Sequence, residues 1–144
     1  MHLLREEDLS QAVFEILAGV AGVLGVARGY LHRLREDGGM LLRTHEWSPE
    51  KGPEHHKDAV ADAGENYRWA LGILERGEAL RIDDAAPLPT GGRGRGLLDP
   101  GERALLMLPV PIHGRLESIF GFVHDRGRPW ADDEVAALQL IVDS

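Results

Sequence analysis

The stretch "LLMLPVPIHGRLESIFGFVHD", Leu105–Asp125, sets the architecture. Two apolar runs, Leu105–Ile112 and Ser118–Asp125, flank His113 and Gly114 and read as neighbouring strands. The first carries prolines at 109 and 111. Alternate residues of a strand turn their amides to the same side, so Pro109 and Pro111 remove donors from one edge only. That edge is expected to be unpaired or bulged, while the other pairs with Ser118–Asp125. The chain is therefore built on an antiparallel sheet.

Working outward, Leu9, Ala12, Val13, Ile16, Leu17, Val20, Val23 and Leu24 recur at helical spacing, with Asp8 as N-cap and Gly25 just past the end. Phe14, Ala18 and Ala21 form a smaller apolar patch on the back of that helix. Strand-like runs Val26–Arg35 and Met40–Trp47 enclose Glu-Asp-Gly-Gly, a hairpin. "SPEKGPEHHKD" reads as polar loop, and Ala59–Arg76 as a helix ending at Gly77 with Val60, Ala63, Tyr67, Ala70, Leu71 and Leu74 as its core stripe. A short strand at Ala79–Asp83 leads into the loop "APLPTGGRGRG", and a last helix begins after Pro129. Nothing in "ADDEVAALQLIVDS" ends that helix, which predicts that it continues past Ser144 in a longer protein. The expectation is one α+β domain over residues 1–144.

Composition excludes several classes. The chain is 43% apolar and 28% charged, ordinary for a globular domain, and it lacks an apolar run long enough for a membrane span or a secretory leader. Its net charge of −8 argues against nucleic-acid binding, which needs a basic face. The absence of cysteine rules out disulfides, thiolate metal sites and cysteine nucleophiles, and fits a cytoplasmic location.

The succession "RGYLHRL", "RTHEW", "WALGILERGEALRIDDAAPLP", "LLMLPVPIHGRLESIFGFV" and "RPWADDEVAALQLI" resembles the GAF domain of bacterial signalling proteins, the kind found upstream of diguanylate cyclase, phosphodiesterase or histidine kinase modules. The resemblance implies a GAF/PAS-like antiparallel sheet of five or six strands. The terminal helices would pack on one face, and an inserted helix and loops would cover a small-molecule cavity on the other. Residue by residue it carries over Arg28 and Tyr30, then His45, Glu46 and Trp47, then Trp69, and finally Asp84, Leu88 and Pro89. His32 stands where an aromatic is usual. The family's chromophore-bearing branches need a cysteine that is absent here, so the resemblance names no ligand or cofactor.

Trp69 lies off the core stripe of its helix. It is either covered by an overlying loop, such as Glu46–Pro53, or forms an aromatic wall of the cavity. Asp83 and Asp84 stand where carboxylates commonly bond to turn amides. Arg43 and His45 alternate with Trp47 along one strand and are taken to share a face. A ligand is thus expected near Trp47 and Trp69, anchored by Arg43 or Asp84. "PEHHKD" does not make a metal site, because adjacent histidines splay apart. "GGRGRG" lacks the Lys-Ser/Thr of a phosphate loop, leaving only contact with an anionic ligand through Arg93 or Arg95. No nucleophile–base pair is evident, so catalysis is not expected.

Two functions follow: a ligand-sensing module that signals through its terminal helices to an effector, attached C-terminally or in trans, or a ligand-free dimerisation scaffold. Under either, Phe14, Ala18, Ala21, Ala137 and Leu140 are expected to pair two copies as a homodimer, with neither membrane nor nucleic acid as partner.

Overall fold

The computed structural model describes residues 6–34, 41–59, 65–88 and 94–143. The expected turn at 36–39, the first part of the predicted helix before Glu65, and Pro89, Gly91, Gly92 and Arg93 lie outside them. The elements are α1 (Glu6–Leu24), β1 (Arg28–Leu34), β2 (Leu41–Ser48), β3 (Gly52–Ala59), α2 (Glu65–Glu75), β4 (Leu80–Ile82), a short 3-10 turn (Arg95–Leu97), β5 (Ala104–Ile112), β6 (Arg115–His124) and α3 (Asp132–Asp143). The strands form one six-stranded sheet in the order β3-β2-β1-β6-β5-β4, with every neighbouring pair antiparallel.

The decisive stretch folds as its residues dictate. β5 and β6 pair from Ala104↔His124 to Ile112↔Arg115, with a bulge between Val110 and Pro111. His113 and Gly114 both have positive φ (52° and 76°), the requirement of a two-residue hairpin turn that keeps the sheet's twist. On the far edge β4 pairs only with Leu105–Met107, stopping before Pro109 removes a donor. The Pro109 carbonyl instead accepts from Gln139 Nε2 of α3 at 2.9 Å.

Period-two alternation sends side chains to two cores. Leu31, Leu106, Leu108, Phe120 and Phe122 pack with Val13, Leu17 and Val20 of α1 and Val135, Leu138 and Val142 of α3. Tyr30, Leu105, Met107 and Ile119 pack on the opposite face with Tyr67, Ala70 and Leu74 of α2. At the centre, β1 and β6 exchange glycine for aromatic in register, Gly29↔Phe122 and Tyr30↔Gly121. A Cβ on Gly121 would fall 2.3 Å from the Tyr30 ring, and one on Gly29 would fall 2.9 Å from that of Phe122.

Several expectations need correction. "SPEKGPEHHKD" is a hairpin turn and the edge strand β3, turning on Gly52 (φ 67°) with Lys51 N–H donating to Ser48 Oγ. α1 already runs at Glu6, so Asp8 lies in its first turn with Glu6 and Glu7, favourable to the helix dipole rather than a cap. Leu9 (49% exposed) and Val23 (83%) face outward, whereas Ala21 is 1% exposed and belongs to the core. Phe14 is not an outer residue either, because β3 widens the sheet beneath it and its ring meets those of His45 and His55 edge-on at 5.0 and 4.9 Å. In α3, Leu140 is 72% exposed and Ala137 is exposed.

The ends of the two terminal helices are joined. Arg128 donates from Nε and Nη2 to the Leu24 carbonyl at 3.3 Å, and from both terminal nitrogens to Glu134 at 2.8 Å, while its guanidinium lies 4.4 Å over the Trp130 ring. One side chain thus caps the last turn of α1 and pairs with the first turn of α3.

Gly121→Ala should destabilise the domain by about 3 kcal/mol, because Tyr30 has nowhere to move within the sheet. Gly19→Ala, in the middle of α1 with open space around its would-be Cβ, should stabilise it by about 0.5–1 kcal/mol. Urea unfolding of both variants checks the pair.

Candidate functional site

On the α2 face, β1 presents Arg28, Tyr30 and His32 at successive period-two positions. β2 adds Arg43 and Glu46, which share that face despite being three residues apart. The register shift between Arg43 and His45 accounts for this, because Thr44 is an extra residue that turns the strand over. His45 and Trp47 therefore point to the α1 side. The expectation that Arg43, His45 and Trp47 share one face fails at this bulge.

The five side chains form a buried polar stack. The Tyr30 and His32 rings lie 4.1 Å apart at 23°, and the Arg43 guanidinium sits 4.4 Å over Tyr30. Arg43 Nε donates to His32 Nε2 at 3.1 Å, and Arg43 Nη1 to Glu46 Oε1 at 3.2 Å. Glu46 also faces Arg28 at 3.9 Å and His56 at 3.7 Å, and Arg28 pairs in turn with Asp99 (3.7 Å) and Glu102. Burial, and secondarily Tyr67, raises the Tyr30 phenol well above its usual range, and burial pushes Tyr67 up to about 12. Both stay neutral donors at physiological pH.

His32 is the exceptional member. It is 0% exposed, and burial, with Arg43 contributing less, lowers its pKa well below the usual histidine value. With Nε2 accepting from Arg43, the proton of the neutral ring resides on Nδ1, and Nδ1 has no hydrogen-bond partner among the described residues. A buried donor without an acceptor costs about 1–3 kcal/mol.

The four residues expected to hold a ligand are not brought together. Arg43 is in the stack. Trp69 packs into the α2-side core, 3.7 Å from where a side chain on Gly94 would begin. Its neighbour there is Gly94, at the end of the glycine-rich loop. Asp84 is tied down by Arg103 at 2.7 and 3.1 Å and accepts from Ala86 N–H at 2.9 Å, bonds that hold its carboxyl below the usual range. Trp47 packs on the α1-side core, across the sheet from Trp69. Arg95 donates to the Ala85 and Leu88 carbonyls. Sequence reasoning did not assign His32, Glu46 or Tyr67 to a site. The readable signal was the alternation Arg28, Tyr30, His32, three polar-tipped side chains on one face of a central strand.

A family model of the GAF domain matches residues 8–144. The chain belongs to the GAF domain family. No curated protein matches its sequence. Among solved structures, this GAF domain is similar to the blue-light-absorbing form of the Thermosynechococcus elongatus PixJ GAF domain, at 19% identity, TM-score 0.70, covering 99% of this chain and 90% of that one. GAF3 of Slr1393 from Synechocystis sp. PCC6803 follows at 19% identity, TM-score 0.68 and 93% and 89% coverage. The GAF domain of a two-component sensor histidine kinase from Bacillus halodurans matches at 11% identity, TM-score 0.70 and 94% and 88% coverage. At these identities the likeness establishes the shared fold of helices and antiparallel sheet.

The buried histidines set a pH dependence. His45, hydrogen-bonded to Ser10 and Thr44, is also shifted down, by burial first and then by His55 and Arg33. A histidine held neutral in the fold takes up its proton more readily when unfolded, so its stability contribution is complete above about pH 6.5 and declines as pH falls below that value. The slope approaches about 1.4 kcal/mol per pH unit for each such group. Asp84 and Glu134, whose pKa values are lowered, act only in a more acidic window, below about pH 4. Urea unfolding from pH 8 to pH 5 should show stability falling, with a shallower fall in His32→Phe.

Proposed function

We propose that this GAF domain is a small-molecule-sensing regulatory module of a signalling protein. Its ligand lies on the α2 face of the sheet, against Arg43 and His32 and beneath Tyr67 and Trp69. The observation that carries this reading is the Nδ1–H of His32, which is without a partner among the described residues. A purely structural position in this core would be served better by an aromatic hydrocarbon, and a ligand acceptor would relieve the deficit. Asp84 and Trp47 have no part in the pocket on this reading. A sequence without cysteine holds its ligand without a thioether link, and the module carries out no catalysis.

Its structural neighbours, which include a cyanobacteriochrome receptor and a sensor histidine kinase, support a sensory role. No described helix is long and apolar enough to cross a membrane, and we place the module in the cytoplasm. The ligand's state reaches an effector, C-terminal or in trans, through α1 and α3, which Arg128 joins. Two copies pair along the outer faces of these helices, through Val23, Leu140 and Ile141 rather than Phe14 and Ala21.

A metabolite library followed by thermal shift and tryptophan fluorescence tests the site. A ligand should stabilise the wild type saturably and quench Trp69, and His32→Phe should raise Tm while abolishing the ligand-induced shift. A saturable ligand indifferent to both His32→Phe and Arg43→Ala would sink the placement. For the dimer, Val23→Glu with Leu140→Glu should give a folded monomer by light scattering, and a wild type already monomeric at high concentration would refute it.

A further inference from the structure

The other face of the sheet holds a second concavity. α1 packs against β1 and β2, and α3 against β5. Among the described residues a groove of about 1160 Å3 lies between α1 and the β2–β3 hairpin. Phe14, Trp47 and Pro53 supply its apolar lining, and Glu6, Glu7 and Glu15 line its α1 side. Glu6 and Glu7 make no ion pair among the described residues, while Arg33, the lining residue of opposite charge, is paired with Glu117 at 3.4 Å. The groove is therefore apolar at its base and acidic along one wall.

We propose that this groove docks a basic amphipathic helix of a partner protein. Its volume exceeds the roughly 300–1,000 Å3 of small-molecule pockets, and its apolar base runs along the side of α1. The apolar stripe of such a helix would lie on Phe14, Trp47 and Pro53, and its lysines or arginines would face the three glutamates. Charge excludes a second copy as occupant. α3, which carries the exposed Leu140 and Ile141, begins with Asp132, Asp133 and Glu134 and ends at Asp143, and α1 has Glu6, Glu7 and Asp8 in its first turn. The site is separate from the ligand pocket, across the sheet from the His32–Arg43 stack.

The test uses fluorescence anisotropy with three labelled helical peptides of one length: leucine stripe with lysines, the same stripe with glutamates, and the lysines with the stripe changed to serine. The leucine–lysine peptide should bind at least tenfold more tightly than either control, and more weakly as salt rises. The triple variant Glu6→Gln, Glu7→Gln, Glu15→Gln should lose at least tenfold, and Ala18→Trp, which fills the groove from α1, should abolish binding while circular dichroism stays unchanged. Arg68→Ala, exposed on α2 across the sheet, should leave affinity unaltered. Equal binding of the leucine–glutamate peptide, or undiminished binding by the triple variant, overturns the proposal. So does self-association by light scattering that Ala18→Trp removes, which would assign the groove to a second copy.

Discussion

The fold depends on the reciprocal contact between β1 and β6, where each strand offers a glycine to the other's aromatic ring. Gly121 leaves room for Tyr30 on one face, and Gly29 leaves room for Phe122 on the other. Because the two pairs are adjacent in register, the rings fall on opposite sides of the sheet and each anchors a separate core. Slipping the register by one residue would set ring against ring and turn both cores toward the wrong layer. Two glycines, which weaken strands elsewhere, here fix which face each side chain serves.

The flat placement of Tyr30 has a chemical consequence. Its ring supports His32 by stacking and Arg43 by a cation–π contact, so three polar-tipped groups are held in a packed interior. Glu46 compensates the arginines, and the network closes through Arg28 toward Asp99 and Glu102. Among the described residues His32 Nδ1 has no hydrogen-bond partner, so the stack carries a buried donor at a cost to its own stability.

The architecture was legible where residue type and pairing agree. The apolar alternation of β5 and β6, their two-residue turn and the one-sided prolines at 109 and 111 all specify the same hairpin. β3 was not legible, because an edge strand written as Gly-Pro-Glu-His-His lacks the apolar face that announces a strand. That omission carried over to Phe14, whose packing surface β3 provides. The site was misjudged for a different reason. A bulge is a property of how two strands pair, not of the residue inserted, so nothing about Thr44 announces that Arg43 and His45 point to opposite faces. Trp69, read as lying off the core stripe, packs against the α2-side core beside Gly94, a neighbour set by the tertiary path and not by helical phase.

Pro109 and Pro111 leave a final consequence at the edge of β5 beyond β4. A bare strand edge is an invitation to any other extended chain, and in a crowded cell it seeds aggregation. Here the outer edge lacks donors at both prolines, and the carbonyl at Pro109 is already occupied by Gln139. An incoming strand finds no amide hydrogen at either proline. The domain can therefore sit at high local concentration, beside copies of itself or strung in tandem, without polymerising through this margin of its sheet.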